Sequence, residues 1–130
     1  YLRSNDTTLM GSRNGHAVLA IWNRITRHGA KGYTADVAGC LARAEWLAEE
    51  LRSMMVPVLL NPLSLTVVFP APSEAIVRRY QLACHRGQAH AVVMPNVGDA
   101  LIECFLADYA AWWRGVSPLG EIAARPAMVM

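Results

Sequence analysis

Residues 64–95 read SLTVVFPAPSEAIVRRYQLACHRGQAHAVVMP, and this stretch decides the fold. Apolar and β-branched runs at 65–69 and 89–94 predict two strands, each closed by a proline. Between them, a Ser-Glu pair supplies an N-cap and an acidic first turn for a helix over 73–82. A strand, a helix and a second strand within so few residues indicate a small sheet with a helix packed on it.

Two helices are predicted upstream of this stretch. Apolar residues at helical spacing mark the first over 12–28, and Gly29 follows it as a C-terminal cap. The second begins at Thr34 as N-cap and carries an apolar stripe to Met55, with charged residues on its outer face. The residues between Gly29 and Thr34 are therefore expected to form an inter-helix turn.

Two further elements and a turn complete the expected order α-α-β-β-α-β-α. Residues 56–60 predict a short strand, the pair Arg86-Gly87 predicts a turn, and an apolar face beginning at Asp99 predicts a last helix. This order favours an α+β fold in which helices cover a small antiparallel sheet. Residues 114–130, rich in glycine and proline, predict a loosely held tail.

Composition limits the possible functions. The chain has 130 residues, of which 54% are hydrophobic and 17% charged, enough apolar content for a packed core. A net charge of +2 gives no field for nucleic acid, and no apolar run approaches the roughly 18 residues of a membrane span. Three cysteines without C-x-x-C spacing predict free thiols in the cytoplasm and no metal site. A start at Tyr1 without methionine indicates part of a longer protein.

The densest polar cluster is GSRNGH at residues 11–16, directly before an apolar helix. A helix N-terminus presents unpaired N–H groups and partial positive charge, and the hydroxyl of Ser12 and guanidinium of Arg13 add to both. The cluster therefore predicts a phosphate or carboxylate site. The alternative is that Ser12 or Asn14 only caps the helix.

The remaining polar and aromatic candidates favour structural roles. His90, within the strand at 89–94, is interpreted as a hydrogen-bonded structural residue, and the four histidines show no metal-ligand spacing. The arginines near the third helix predict a solvated face; they are Arg78, Arg79 and Arg86. The pair Trp112-Trp113 is large apolar area that we expect to stay uncovered unless another part of a larger protein buries it.

Several of these motifs occur together, in order, in one known family. The segments are DTT at 6–8, GSRNGH at 11–16, SLTVVFP at 64–70, RRYQLA at 78–83 and AHAVVMP at 89–95. They resemble the C-terminal part of group II pyridoxal-phosphate-dependent amino-acid decarboxylases, in the branch of bacterial histidine decarboxylase and plant serine decarboxylase. The resemblance spans roughly residues 1 to 113 and omits the tail.

The resemblance implies a fold-type I homodimer with active sites at the subunit interface. It assigns residues 1–33 to the end of the large cofactor-binding domain, as a mobile loop and an interface helix. Within them, residues 2–10 correspond to a segment that closes over substrate. It assigns residues 34–113 to the small C-terminal α+β domain and leaves 114–130 as a tail that it does not cover.

The resemblance also implies roles for individual residues. Ser12 and Arg13 are expected to contact the phosphate of the partner subunit's pyridoxal phosphate, and His16 to contact substrate. No catalytic residue is expected in this chain, because the Schiff-base lysine and the aspartate at the pyridine nitrogen belong to upstream segments of the family. Lys31, the single lysine, lies in the predicted turn and matches no catalytic motif.

The implied activity is removal of the α-carboxylate of an amino acid as carbon dioxide. Histidine, giving histamine, is the expected substrate and serine the alternative. This chain alone is expected to be inactive. A reading from a different class remains open, in which the chain is a non-catalytic α+β module for dimerisation or ligand binding.

Overall fold

The computed structural model describes residues 14–116, and six elements lie within that range. The helices are α1 (Gly15–Ser53), α2 (Glu74–Tyr80) and α3 (Asp99–Val116). The strands are β1 (Thr66–Pro70), β2 (Ala83–His85) and β3 (Gln88–Val92). The fold class is the predicted one, a small antiparallel sheet with helices. The last helix extends past 113 to Val116, and residues 117–130 lie outside the described range, as do 2–10.

α1 is broken at Gly29, where φ is 63° and ψ is 178°. This conformation is essentially restricted to glycine, so a single residue makes the break that the sequence predicts. The predicted multi-residue turn is wrong, because the helix resumes immediately after Gly29. Lys31 consequently lies on the helix, and Thr34 is an interior helical residue and not an N-cap.

The chain divides into two compact units between Ala35 and Asp36. The described part of the first unit is the helical segment up to Ala35, interrupted at Gly29. Around that break, the rings of His28 and Tyr33 meet edge to face with centroids 4.9 Å apart. The second unit, described from Asp36 to Val116, contains the sheet.

The sheet has the strand order β1-β3-β2, and both pairs of neighbours are antiparallel. In its central row, His90 of β3 is flanked by Val68 of β1 and Ala83 of β2. The predicted helix over 73–82 ends at Tyr80, because Gln81 takes a left-handed conformation with φ 51°. That early end allows 83–85 to form β2, a strand that the sequence analysis did not predict.

The strand predicted over 56–60 is wrong as a continuous strand. Only Leu59 pairs, through an isolated bridge to Val68 in which each N–H donates to the other carbonyl, at 2.9 and 3.0 Å. Pro57 and Pro62 have no N–H to donate, which restricts a longer ladder on either side of Leu59.

The predicted turn at Arg86-Gly87 is confirmed and joins β2 to β3. Both residues have positive φ, 48° for Arg86 and 78° for Gly87, which is the pattern of a type I′ hairpin turn. Such turns favour Asn-Gly, and arginine tolerates the left-handed region less well than asparagine.

We therefore expect Arg86→Asn to stabilise the protein by about 0.5–1 kcal/mol. Urea unfolding followed by circular dichroism measures the change. The control is Arg52→Asn, at an exposed helical position, where asparagine has the poorer propensity and stability should fall slightly. A loss of stability in Arg86→Asn would contradict the turn assignment.

One face of the sheet forms the core with the second part of α1 and with α3. The inward residues of β1, of β3 and of the position just after β3 are less than 2% exposed, and they are Val67, Phe69, Ala89 and Val93. They belong to one cluster with buried residues of both helices, namely Ala44, Leu47, Ala48, Leu51, Ile102, Phe105 and Tyr109. All side chains of this cluster lie within the second unit.

The expectation that Trp112 and Trp113 stay uncovered is wrong. Both are half-buried and pack against the core cluster. The indole Nε1 of Trp113 donates to the carbonyl oxygen of Met54 at 3.1 Å, which satisfies a backbone acceptor just after α1. The chain therefore covers most of this aromatic area itself.

Candidate functional site

Of the predicted anion site at 11–16, the structure describes residues 14–16, which lie at the start of α1. Ser12 and Arg13 fall outside the described residues, so the structure does not place them. Asn14 caps the helix: its Oδ1 accepts from the N–H of His16 at 3.0 Å, and its carbonyl accepts from the N–H of Ala17 at 3.1 Å. The capping alternative thus holds for Asn14, while His16 is exposed in the first turn.

His90 lies in the middle of the sheet on the face opposite the core. Its neighbours in sequence confirm this, because Ala89 is fully buried while His90 is only half-buried. Across the strands it faces Val68 and Ala83. His90 is therefore a sheet residue flanked by apolar side chains. None of the three described strands contains an acidic residue that could pair with it.

A polar cluster that the sequence analysis missed joins α2 to α3. The hydroxyl of Tyr80 donates to Asp108 Oδ2 at 2.7 Å, and the guanidinium of Arg79 forms an ion pair with the same oxygen at 2.9 Å. Arg79 also lies over the Tyr80 ring, 5.5 Å from its centroid. The solvated face predicted for the arginines is confirmed at Arg79, whose side chain is 64% exposed, and the structure adds its ion pair with α3. Nothing in the local sequence connects Tyr80 with a carboxylate 28 positions away.

Burial of its ring and the hydrogen bond to Asp108 raise the pKa of Tyr80 to about 12. An unfolded tyrosine ionises near pH 10. The folded state keeps Tyr80 neutral above that pH while the unfolded state loses its proton, so this side chain makes stability fall as the pH rises from about 10 to about 12.

Replacing Asp108 by asparagine is expected to lower the pKa of Tyr80, because the carboxylate acceptor is lost. The pKa should stay above the ordinary value, since burial of the ring remains. Carbon-13 NMR of the tyrosine Cζ, assigned with Tyr80→Phe, follows the titration. Glu103→Gln, an exposed carboxylate change on the same helix, is the control and should leave the Tyr80 titration in place. An unchanged pKa in Asp108→Asn would exclude the hydrogen bond as a cause.

A cleft of about 260 Å³ lies beside this cluster, between the end of α2, the β2–β3 hairpin and α3. Its lining is mainly apolar, including Leu82, Val97 and Phe105, with Tyr80 at the margin. Among residues 14–116 there is no group of three or more His, Cys, Asp or Glu side chains able to hold a metal ion. The same range contains no helix long and apolar enough to cross a membrane. Cys40, Cys84 and Cys104 are free thiols.

The chain is similar in sequence to several known amino-acid decarboxylases. The chain is 50% identical to Serine decarboxylase 3 of Oryza sativa subsp. japonica over 110 residues, which is 84% of this chain and 25% of the relative. It is 38% identical to Histidine decarboxylase of Vibrio campbellii over 113 residues, 83% of this chain and 29% of the relative. To Histidine decarboxylase of Solanum lycopersicum it is 34% identical over 125 residues, 92% of this chain and 30% of the relative. No protein-family model matches the chain.

The fold is also similar to that of a solved decarboxylase structure. L-methionine decarboxylase from Streptomyces sp. 590, solved with 3-methylthiopropylamine in a geminal diamine form, superposes with a TM-score of 0.71 and 26% sequence identity. The match covers 85% of this chain and 25% of that one. This chain therefore spans only about a quarter to a third of the length of the relatives that it matches.

Proposed function

We propose that this chain, which is homologous to the C-terminal part of pyridoxal-phosphate-dependent amino-acid decarboxylases, serves as the small domain and interface segment of such an enzyme. The observation that carries the proposal is the agreement of sequence and fold, since both kinds of match extend over more than four-fifths of the chain. In the proposed reaction the α-carboxylate of an amino acid leaves as carbon dioxide.

Two amino acids are proposed as substrate. The motif resemblance points to histidine, and the relatives named histidine decarboxylase support that choice. Serine is the second candidate, and the higher identity to the rice serine decarboxylases supports it. The experiment below compares the two directly.

The described residues do not fit the anchoring of pyridoxal phosphate. This cofactor, when bound, acts as an electron sink and requires a lysine to hold it as a Schiff base. A lysine in that role is activated by desolvation or by a neighbouring cation, whereas Lys31 is exposed on a helix. No reaction step is therefore assigned to Lys31, and the anchoring lysine is proposed to lie in the rest of the enzyme.

The chain's own contribution to the cofactor site is proposed at residues 11–16. The N–H of His16 already donates to the side chain of Asn14 and is therefore not open to a ligand. The side chains of Ser12 and Arg13 would then hold the phosphate of the partner subunit's cofactor. His16, exposed in the first turn, is proposed to contact substrate. These roles orient cofactor and substrate and transfer no proton.

The first unit supports the proposed homodimer. Its helical segment before Gly29 carries five large apolar side chains that are 54–67% exposed, namely Val18, Leu19, Ile21, Trp22 and Ile25. Exposed apolar area of this density is typical of an interface. We propose that this segment is covered in the homodimer. The free thiols agree with a cytoplasmic location.

The test is a chimera in which this chain replaces the C-terminal quarter of rice Serine decarboxylase 3. We expect the chimera to bind pyridoxal phosphate and to release carbon dioxide from serine or histidine, and this chain alone to release none. A folded chimera that binds the cofactor but decarboxylates neither amino acid would contradict the proposed activity. A folded chimera that does not bind it would favour the non-catalytic module.

In the same chimera, Ser12→Ala is expected to weaken cofactor binding roughly tenfold, because one hydrogen bond to a phosphate oxygen is lost. Fluorescence titration with pyridoxal phosphate measures the dissociation constant. Ser53→Ala, which removes an exposed hydroxyl bonded only to the Glu50 carbonyl, is the matched control. Equal affinity in the two variants would remove Ser12 from the site.

A further inference from the structure

Strand β3 has an edge that β2 covers only in part. The register of β2 ends opposite His90, so β3 continues past β2 to Val92. The next N–H, that of Val93, donates to the Leu65 carbonyl at 2.8 Å, on the side of β1. Because successive residues of a strand direct their backbone groups to opposite sides, the N–H and carbonyl of Val92 point toward the side of β2. Within residues 14–116, no strand pairs with β3 there, since Gln81 closes α2 with φ 51° and ends the possible ladder.

The uncovered edge borders the cleft of about 260 Å³ between α2, the β2–β3 hairpin and α3. The residues that line this cleft include no Asp, Glu, Lys or Arg. Val92 on the strand side is 50% exposed, and Leu101 on the α3 side is 47% exposed. An unpaired strand edge beside an apolar cleft fits an extended peptide, whose backbone pairs with the edge while alternate side chains enter the cleft.

The chain itself supplies a peptide of this kind beyond α3. Residues 117–130 lie outside the described range and contain the uncharged run PAMVM at 126–130. Pro126 favours an extended backbone, and methionine side chains adapt to irregular apolar sites. The other segment outside the described range, residues 1–13, carries charged side chains of both signs, which a lining without charged partners does not suit.

The run at 126–130 is long enough to reach the cleft from the end of α3. Leu101 in the cleft and Val116 at the end of α3 are about 22 Å apart, at a helical rise of about 1.5 Å per residue. An extended chain advances about 3.3 Å per residue, so residues 117–128 can span about 40 Å and return along α3. Leu119 reaches only about 10 Å beyond Val116 and cannot enter the cleft.

We propose that residues 126–130 bind in this cleft as a short strand added to the edge of β3. The N–H and carbonyl of Val92 pair with the backbone of the added strand, and the side chains of Met128 and Met130 cover the apolar lining of the cleft. Such a strand also prevents the edge of β3 from pairing with other chains. Residues 117–125 remain the loosely held part of the predicted tail. This placement is independent of the proposed function.

Hydrogen exchange of the Val92 amide, measured by NMR in the full chain, tests the added strand. We expect this amide to exchange at least about tenfold faster in the double variant Met128→Ser/Met130→Ser, because the serines lose the apolar contacts that hold the strand in place. Leu119→Ser, which removes an apolar side chain that cannot reach the cleft, is the control and should leave the exchange rate unchanged. The amide of Val93, bonded on the side of β1, should exchange at the same rate in all three proteins.

Labelling of Leu101→Cys with N-ethylmaleimide measures coverage of the cleft, and mass spectrometry separates its signal from the native thiols. We expect labelling to be about tenfold faster when both methionines are replaced by serine. Equal exchange of Val92, or equal labelling, with and without the two methionines would overturn the proposal. An equal effect of Leu119→Ser would also overturn it. Protection of Val92 that rises with protein concentration would overturn it in favour of a segment from a second copy.

Discussion

Tyr109→Ala is expected to destabilise the protein by about 3–5 kcal/mol. Tyr109 is fully buried, and its ring packs edge to face on Phe69 at a centroid distance of 5.4 Å. It also contacts the rings of Phe105 and Trp112, at 5.5 and 5.3 Å. Alanine would remove the central ring of this aromatic cluster and leave a cavity between the sheet and α3, at a cost comparable to a large part of a domain's net stability.

A variant without the Tyr109 hydroxyl separates the contribution of ring packing from that of the hydrogen bond. It donates to the carbonyl oxygen of Pro70 at 3.0 Å, which ties α3 to the end of β1. Tyr109→Phe keeps the ring and loses only this bond, so we expect a loss of about 1–2 kcal/mol. Urea unfolding monitored by circular dichroism compares the variants. A loss below about 1 kcal/mol in Tyr109→Ala would contradict the packing described here.

Trp113→Ala is expected to cost about 2–3 kcal/mol, less than the core tyrosine because the indole is only half-buried. The side chain stacks on Tyr109 with centroids 6.2 Å apart, and its Nε1 donates to the Met54 carbonyl. The variant loses both the packing and the bond that connects α3 to the end of α1.

Trp22 provides a matched comparison, because it is also a helical tryptophan but is 64% exposed. Trp22→Ala should change the stability of this chain by less than about 0.5 kcal/mol. Trp113→Phe should fall between the two alanine variants, since it keeps part of the packing without the donor. The same unfolding measurement applies, and equal costs for Trp22→Ala and Trp113→Ala would disprove the different burial of the two indoles.

Elements specified by short-range chemistry could be predicted from the sequence. The break at Gly29, the turn at Arg86-Gly87 and the start of α3 at Asp99 each depend on backbone preferences of a few neighbouring residues. Strand β2 could not be predicted, because 83–85 is stabilised by pairing with β3 and has little apolar pattern of its own. Leu59 likewise pairs only because the sheet brings β1 beside it.

The candidate site shows the same division. The anion site at 11–16 was predicted from residue types alone and stays a prediction, and the resemblance to decarboxylases followed from motifs in their order. The contact between Tyr80 and Asp108 could not, because it joins two helices across 28 residues and has no local signal. The burial of Trp113 depends in the same way on an acceptor at Met54, 59 residues away.

By itself, the sequence determined the α+β class, the two core strands and the resemblance to decarboxylases, because these follow from periodicity and from the order of short motifs along the chain. Only the tertiary structure decided which face of the sheet is buried, which tryptophans are covered and which arginine pairs with α3. Those outcomes depend on surfaces that meet after the chain has folded back on itself. Residues 64–95 specify two apolar strands, but the packing of α1 and α3 on one side is what leaves Val68, His90 and Val92 on the other.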